Sequence, residues 1–418
     1  MKKQLLTLVF LISTEAIFGQ QLSLLDLETA FLRNNLQLIA QKYQIGQAEA
    51  LIRQERLWPN PSLTVDNVNL WANSTFETME PLFGSFGAKQ QFGAELEQLI
   101  ETSGKRKKRV VLRELESKAN QLEFDAILRE MKLDLRSTYY SLLRIKQEEH
   151  QLLRVLQLFE RLHAQYKVQA EKQHISQVNY YRVHTELIGI QREVLDLTAE
   201  RLDKMKHLRV LTALPALTIA DLQLDNMELP ALSASSEELE SWSLEAHPKL
   251  MQLRNEIDLA QQQVRLEVAN RIPDLSMVMN YERGGNVMRN FVGIGVKLDI
   301  PVFNRNQGNI TAARLHLTEQ DQRLRAEEHE VTEALSLHMR ELERYGTQLQ
   351  EWKGQEDGRQ VQVLENYSKY LQEQQVTLLE FIDFSQAYLE AQKAYLDLQE
   401  KYLNAFETVQ YLIGKDLK

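Results

Sequence analysis

The chain has 418 residues, a net charge of -10 from 49 Lys and Arg against 59 Asp and Glu, and no cysteine. Without thiols there are no disulfides, thiolate zinc sites, cysteine nucleophiles or lipidated N-terminal cysteine, and the acidic balance argues against a nucleic-acid footprint, which needs a basic face. Length alone suggests two or three ordinary domains, but all 8 Pro fall within 59–81, 215–248 and 273–301. Compact domains need turn residues every few elements, so the long Pro-free stretches rich in Leu, Glu, Gln, Arg and Lys predict very long helices instead.

In chain order, Lys2 and Lys3 followed by the short apolar run Leu5 to Ile12 and the small residues Ser13 to Gly19 predict a signal peptide over 1–19. No later segment approaches the ~18 continuous apolar residues of a transmembrane helix. A first repeat follows over 20–214: a helix at about 23–57, a β-hairpin over 61–102, and a long helical hairpin over 104–213 that turns near Lys172 to Ile175. Residues 215–236, with Pro215, Pro230 and the Ser233 to Ser236 cluster, predict a linker. The second repeat spans 237–414. It holds a helix at about 237–271, a β-hairpin over 273–302 and a long helical hairpin over 308–413, and residues 415–418 form a tail.

The halves resemble each other in sequence. Pro61-Ser62-Leu63-Thr64-Val65 matches Pro273-Asp274-Leu275-Ser276-Met277, and Asn35-Leu36 lines up with His247-Pro248. Further on, Gly93-Ala94-Glu95-Leu96 matches Gly295-Val296-Lys297-Leu298, Tyr166 matches Tyr367, and Ile175-Ser176 matches Val376-Thr377. Such self-similarity is the signature of a duplicated architecture.

The extended segments alternate with period two. Leu275, Met277, Met279 and Tyr281 share one face, as do Val292, Ile294, Val296, Leu298 and Ile300, and so do Phe92, Ala94 and Leu96. This pattern suits a transmembrane β-strand, apolar to lipid and polar to lumen, and equally a half-buried soluble hairpin. Four strands close no membrane barrel, because the smallest use about eight, so a membrane sheet requires several chains. On the helices, Ile382, Leu389, Leu396 and Leu403 recur every seven residues, and Ile188, Leu195 and Leu202 repeat that spacing; both predict a coiled-coil core seam. Ser385, Gln392 and Gln399 interrupt it with polar groups that suit a wet lumen.

None of the nine histidines forms a helix-borne metal motif, and there is no phosphate loop, nucleophile elbow or carboxylate pair. The chain is expected to be no enzyme, with no cofactor and no metal site. The basic run Lys105 to Arg109 needs a partner, since positive charge is unfavourable at a helix N-terminus. Lipid headgroups or the tunnel wall are the options. Trp58, Trp71 and Tyr281 are candidates for an aromatic belt.

Signal peptide, duplication, two β-hairpins and two long helical hairpins together resemble the TolC-type outer-membrane factors of tripartite efflux systems. Pro59-Asn60-Pro61 and Gly104-Lys105-Arg106 are similar to the branch of CzcC- and CusC-like metal-efflux channels. The resemblance implies a mainly α fold with a small β-barrel part and a homotrimer. Its twelve-stranded barrel would sit in the outer membrane of a Gram-negative bacterium, and its helical tunnel would cross the periplasm. The implied partners are a periplasmic adaptor and an inner-membrane resistance-nodulation-division pump. The implied function is passive export of metal cations, or of drugs.

The family's periplasmic helical turns carry Gly, Ser/Thr, then apolar and acidic residues. The matching positions are Gln173, His174, Ile175, Ser176 and Val178, and Gln374, Gln375, Val376, Thr377 and Leu379, with Gln where the family has glycine. These are the expected adaptor-docking tip, and Ser176 and Thr377 the expected N-caps. The rival readings are a secreted coiled-coil scaffold or adhesin with soluble hairpins, and an outer-membrane conduit for type I protein secretion.

Overall fold

The computed structural model describes residues 21–72, 78–224, 229–284, 288–353 and 359–417. The expected signal peptide lies outside them, as do 73–77 and 285–287 of the two hairpin loops, 225–228 of the linker, 354–358 of the second long helix, and Lys418.

The fold is mainly helical with a small four-stranded antiparallel sheet, as the sequence predicts. The first half runs α1 (Leu24–Asn34), α2 (Leu36–Glu55), β1 (Ser62–Asp66), β2 (Phe92–Ile100), α3 (Lys105–Glu171) and α4 (Gln177–Thr212). The second runs α5 (Ser236–Ala246), α6 (Pro248–Ala269), β3 (Leu275–Arg283), β4 (Asn290–Leu298), α7 (Gln307–Lys353), α8 (Arg359–Gln372) and α9 (Leu378–Leu412). The 67 residues of α3 reach about 100 Å at ~1.5 Å per residue.

The helix expected at 23–57 is two helices, and so is the one at 237–271. The breaks fall at Asn35 and His247, whose ψ angles of 119° and 127° leave the helical region. At Asn35 the side chain accepts from the N–H groups of Gln37 and Leu38 and donates to the Leu211 carbonyl at 2.8 Å. At His247 the following Pro248 disfavours helical backbone in the residue before it. The capping serines Ser23 and Ser235 also occupy equivalent places, each in a capping box.

The sheet order is β1-β2-β3-β4. The β2–β3 pair joins the two halves, with Leu96 opposite Met279 and Ile100 opposite Leu275. Strands β1 and β4 are the two edges.

Three apolar clusters fill the helical part. One, towards the turns of the helical hairpins, joins α3 and α4 to α8 and α9 through Phe159, Leu162, Val183, Leu371 and Phe381. A second joins α1 to α3 and α4, around Leu27, Phe31, Leu142 and Leu208. The third holds α5, α7 and α9 together through Leu239, Leu335, Phe406 and Val409. The segment expected as a linker contributes Leu217, Leu222 and Leu224 to the second cluster, so its described residues are packed rather than tethering.

The two expected seams diverge. On α9, Ile382, Leu396 and Leu403 are buried as predicted. On α4, Ile188, Leu195 and Leu202 are 52%, 69% and 60% exposed. A different stripe, Val183, Leu187, Ile190, Leu197, Met205 and Leu208, supplies the buried face of α4. Two apolar stripes share this helix, and periodicity alone does not say which one faces the chain's own core. Ser385 and Gln399, expected beside water, are buried; the Ser385 hydroxyl donates to the Phe381 carbonyl at 2.8 Å.

Candidate functional site

The ends of the helical hairpins repeat one geometry. Gln173 and Gln374 both have φ of 61°, the left-handed conformation that favours glycine. At the first turn the N–H of Gln173 donates to the Ala170 carbonyl at 3.1 Å, and that of His174 to the Gln169 carbonyl at 2.8 Å. At the second, Gln374 donates to Leu371 at 3.2 Å and Gln375 to Tyr370 at 2.8 Å. This is the paired Schellman closure of a helix C-terminus. The loss of glycine therefore leaves the turn intact and strains it.

The returning helices are capped. The Ser176 hydroxyl accepts from the Val178 N–H at 3.2 Å. Thr377 forms a capping box with Glu380: its hydroxyl accepts from the Glu380 N–H at 3.3 Å, and the Glu380 carboxylate accepts from the Thr377 N–H at 2.7 Å. That contact holds the Glu380 carboxyl below the usual range. Val178 and Leu379 are exposed, while Ile175 and Val376 are half-buried. Each turn thus presents an exposed apolar side chain just after a rigid cap.

At the other end, the sheet is inside-out. Leu63, Val65, Ala94, Leu96, Met277, Met279, Val292, Ile294 and Val296 lie on one face by register. Ile294, at 81% exposure, and most of its neighbours are open. The opposite face carries Thr64, Glu95, Glu97, Ser276, Asn280 and Lys297, with Leu99, Val278 and Phe291 the apolar exceptions. A sheet in water hides its apolar face. Ile300, Val302 and Phe303 continue the exposed apolar surface beyond β4. Trp71 and Trp58 are exposed too, and the Arg106 guanidinium carbon lies 3.9 Å from the Trp58 ring centroid.

The basic run at the start of α3 finds partners within the chain. Lys105 Nζ lies 2.8 Å from the Asp274 carboxylate. Lys108 Nζ donates to the Ser103 carbonyl, and Arg109 bridges Glu55 at 2.6 Å and Glu101 at 2.7 Å. The run is a clamp between the sheet and the helices.

Two arginines, half-buried Arg136 and buried Arg144, tie helices together further along. Arg136 of α3 bonds Glu28 of α1 and Glu407 of α9, each at 2.6 Å. Tyr140 donates to the other oxygen of Glu407 at 2.8 Å; burial, and then the charge of Glu407, push its hydroxyl pKa up. Arg144 bonds Glu400 of α9 as well as Glu148 and Glu200.

The histidines are more structured than sequence reasoning expects. His207 lies 2.7 Å from Asp134, His338 lies 2.8 Å from Glu341, and His163 pairs with His184. His247 is buried at the α5–α6 break against the edge of Tyr411, and burial lowers its pKa to about 4. Pairing across α3 and α4 is invisible to a search along one helix. Among the described residues no group of three or more His, Asp or Glu forms a metal cage.

Comparison with known proteins agrees with this geometry. Residues 240–415 match the family model described as outer membrane efflux protein. The chain is 26% identical over 291 residues to the cobalt-zinc-cadmium resistance protein CzcC of Cupriavidus metallidurans. That match covers 67% of this chain and 63% of CzcC, so it spans less than two thirds of the relative's length. Among solved structures, the CmeC outer membrane channel of Campylobacter jejuni superposes with a TM-score of 0.75 at 14% identity, covering 94% of this chain and 85% of that one. CusC superposes with a TM-score of 0.69 at 16% identity, covering 94% and 92%. Residues 240–415 thus carry a domain similar to the outer membrane efflux protein family.

Proposed function

We propose that this chain, built around that domain, is the outer-membrane channel of a tripartite export system. Three copies would close a twelve-stranded barrel, four strands from each chain, and their helices would form a tunnel across the periplasm of a Gram-negative bacterium. The single observation that carries this reading is the pairing of opposite ends. An exposed apolar sheet face with two open edges sits at one end, and two hairpin turns with the same backbone closure sit at the other. Backbone groups at an open edge in lipid stay unsatisfied, so membrane insertion requires ring closure. The exposed stripe Tyr181, Ile188, Leu195, Leu202 on α4 offers the helical part of the seam between copies.

The turns at Gln173 to Val178 and Gln374 to Leu379 are then the surface for a periplasmic adaptor, which links the channel to an inner-membrane pump of the resistance-nodulation-division type. Adaptor binding opens the tunnel by favouring a looser packing of the helix ends. The channel consumes no nucleotide; the pump supplies energy and selectivity. Metal cations are the favoured cargo. The similarity to CzcC supports this, and a net charge of -10 suits cation passage.

Planar-bilayer recording and mass measurement of the detergent-extracted protein test the proposal together. A trimer that conducts, with cations preferred, is expected. A monomer with no conductance would return the chain to the secreted-scaffold reading.

A further inference from the structure

His163 of α3 and His184 of α4 face each other across the first helical hairpin, with His184 Nδ1 3.2 Å from His163 Nε2. Their rings stack with centroids 5.1 Å apart, and the Tyr180 ring lies against both, at 5.4 Å and 6.0 Å. Both imidazoles are half-buried, so solvent reaches them.

The duplication supplies an internal comparison. At the equivalent places in the second hairpin stand Leu364, Ser385 and Phe381. Leu364 and Phe381 are ordinary core there, and Ser385 bonds the Phe381 carbonyl. The hairpin closes without imidazoles in one repeat, so packing alone does not demand them in the other.

The separation of the two nitrogens suits a shared ligand. A metal bonded to both at ~2.0–2.1 Å would subtend an angle of ~100° across 3.2 Å, between the octahedral and tetrahedral values.

We infer that His163 and His184 form a two-histidine site for a divalent transition cation of the imidazole-preferring class, which includes iron, nickel, copper and zinc. The ligands are His163 Nε2 and His184 Nδ1. Whichever ring carries the proton between them re-protonates at its far nitrogen through water, so both lone pairs are presented with no net proton release. No third His, Asp or Glu joins them among the described residues, and water fills the remaining positions. Such a site binds loosely and exchanges freely. Describing the bound ion as cargo in transit rests on the function proposed above; the site itself does not.

The test is Cu2+ titration of the full-length protein in detergent, read by electron paramagnetic resonance. One Cu2+ per chain with a two-nitrogen pattern is expected in the wild type. The double variant His163→Leu/His184→Ser installs the second repeat's own residues, so it should keep its circular dichroism and melting temperature while affinity for that equivalent falls at least tenfold. If the double variant loses its fold, His184→Ser alone carries the same expectation. Unchanged binding in the variant, or a wild type without the two-nitrogen pattern, overturns the inference. Bilayer conductance is read separately. Conductance without binding removes the site and leaves the channel, while binding without conductance does the reverse.

Discussion

Lys105 and Asp274 meet at 2.8 Å where the first long helix and the second β-hairpin converge, with the Lys105 side chain 8% exposed. The same carboxylate accepts the Thr102 N–H at 2.8 Å, and the Thr102 hydroxyl donates to the Pro273 carbonyl at 2.6 Å. One residue from each half thus ties the sheet to the start of the long helix α3. Asp274→Asn keeps an acceptor for Thr102 but leaves a buried ammonium without a counter-charge, and a loss of about 3 kcal/mol is expected. The double variant Lys105→Met/Asp274→Asn should recover most of that loss in thermal unfolding. Equal instability of the two variants would show that the charge pair is not the relevant bond.

The two turns hold glutamine where left-handed backbone favours glycine. Gln173→Gly and Gln374→Gly should each stabilise by about 1 kcal/mol, and Ser176→Ala should cost about as much by removing a cap. Hydrogen exchange at the hairpin turns reads both effects locally. A glycine variant with faster exchange at these amides would contradict the strain described.

The ends of α4 and α9 give the opposite case. Gly414 has φ of 67°, and a Cβ there would stand 2.1 Å from the Ala246 carbonyl oxygen. Gly414→Ala should therefore cost about 1–2 kcal/mol for conformation and a further ~1–3 kcal/mol for overpacking. Ala213, its counterpart, has φ of 52°, and Ala213→Gly should be neutral or stabilising. Melting temperatures of the two variants should move in opposite directions.

His247 predicts a pH dependence. Burial pushes its folded pKa down to about 4, from the ordinary histidine value of 6.5. Between those values the unfolded chain binds the extra proton, so acidification through this window favours unfolding. Above 6.5 the contribution is constant. The slope approaches 1.4 kcal/mol per pH unit at most. His247→Asn, which copies Asn35, should flatten the difference between stability at pH 7 and pH 5. Identical pH profiles for wild type and variant would rule the imidazole out.

The exposed stripe on α4 should decide assembly. Leu195→Glu, at a position 69% exposed in the single chain, should barely alter secondary structure. It should shift the mass in detergent towards the monomer. A trimer of unchanged stability would place the seam elsewhere.

Sequence patterns reveal those features that each follow from one segment. Absent prolines forecast α3, alternation forecast the three nine-residue strands, and the match of Ile175-Ser176 to Val376-Thr377 located both turns and their caps. Features that depend on two segments were hidden. Nothing in the heptads distinguishes Leu195, which is open, from Leu197, which is buried. The partners of Lys105 and Arg109 come from Asp274, Glu55 and Glu101, and His184 is 21 positions from His163. The break at His247 was readable from Pro248, whereas that at Asn35 depends on a hydrogen bond to Leu211.

The edge strands of the sheet are unequal: β1 has five residues and β4 has nine. In a ring where β4 of one copy pairs with β1 of the next, every junction carries a shorter ladder than the nine-residue pairing of β2 with β3 inside each chain. The junctions are then the weak staves of the barrel. Heating or harsh detergent should part the ring into intact single chains first, with each four-stranded panel surviving its release.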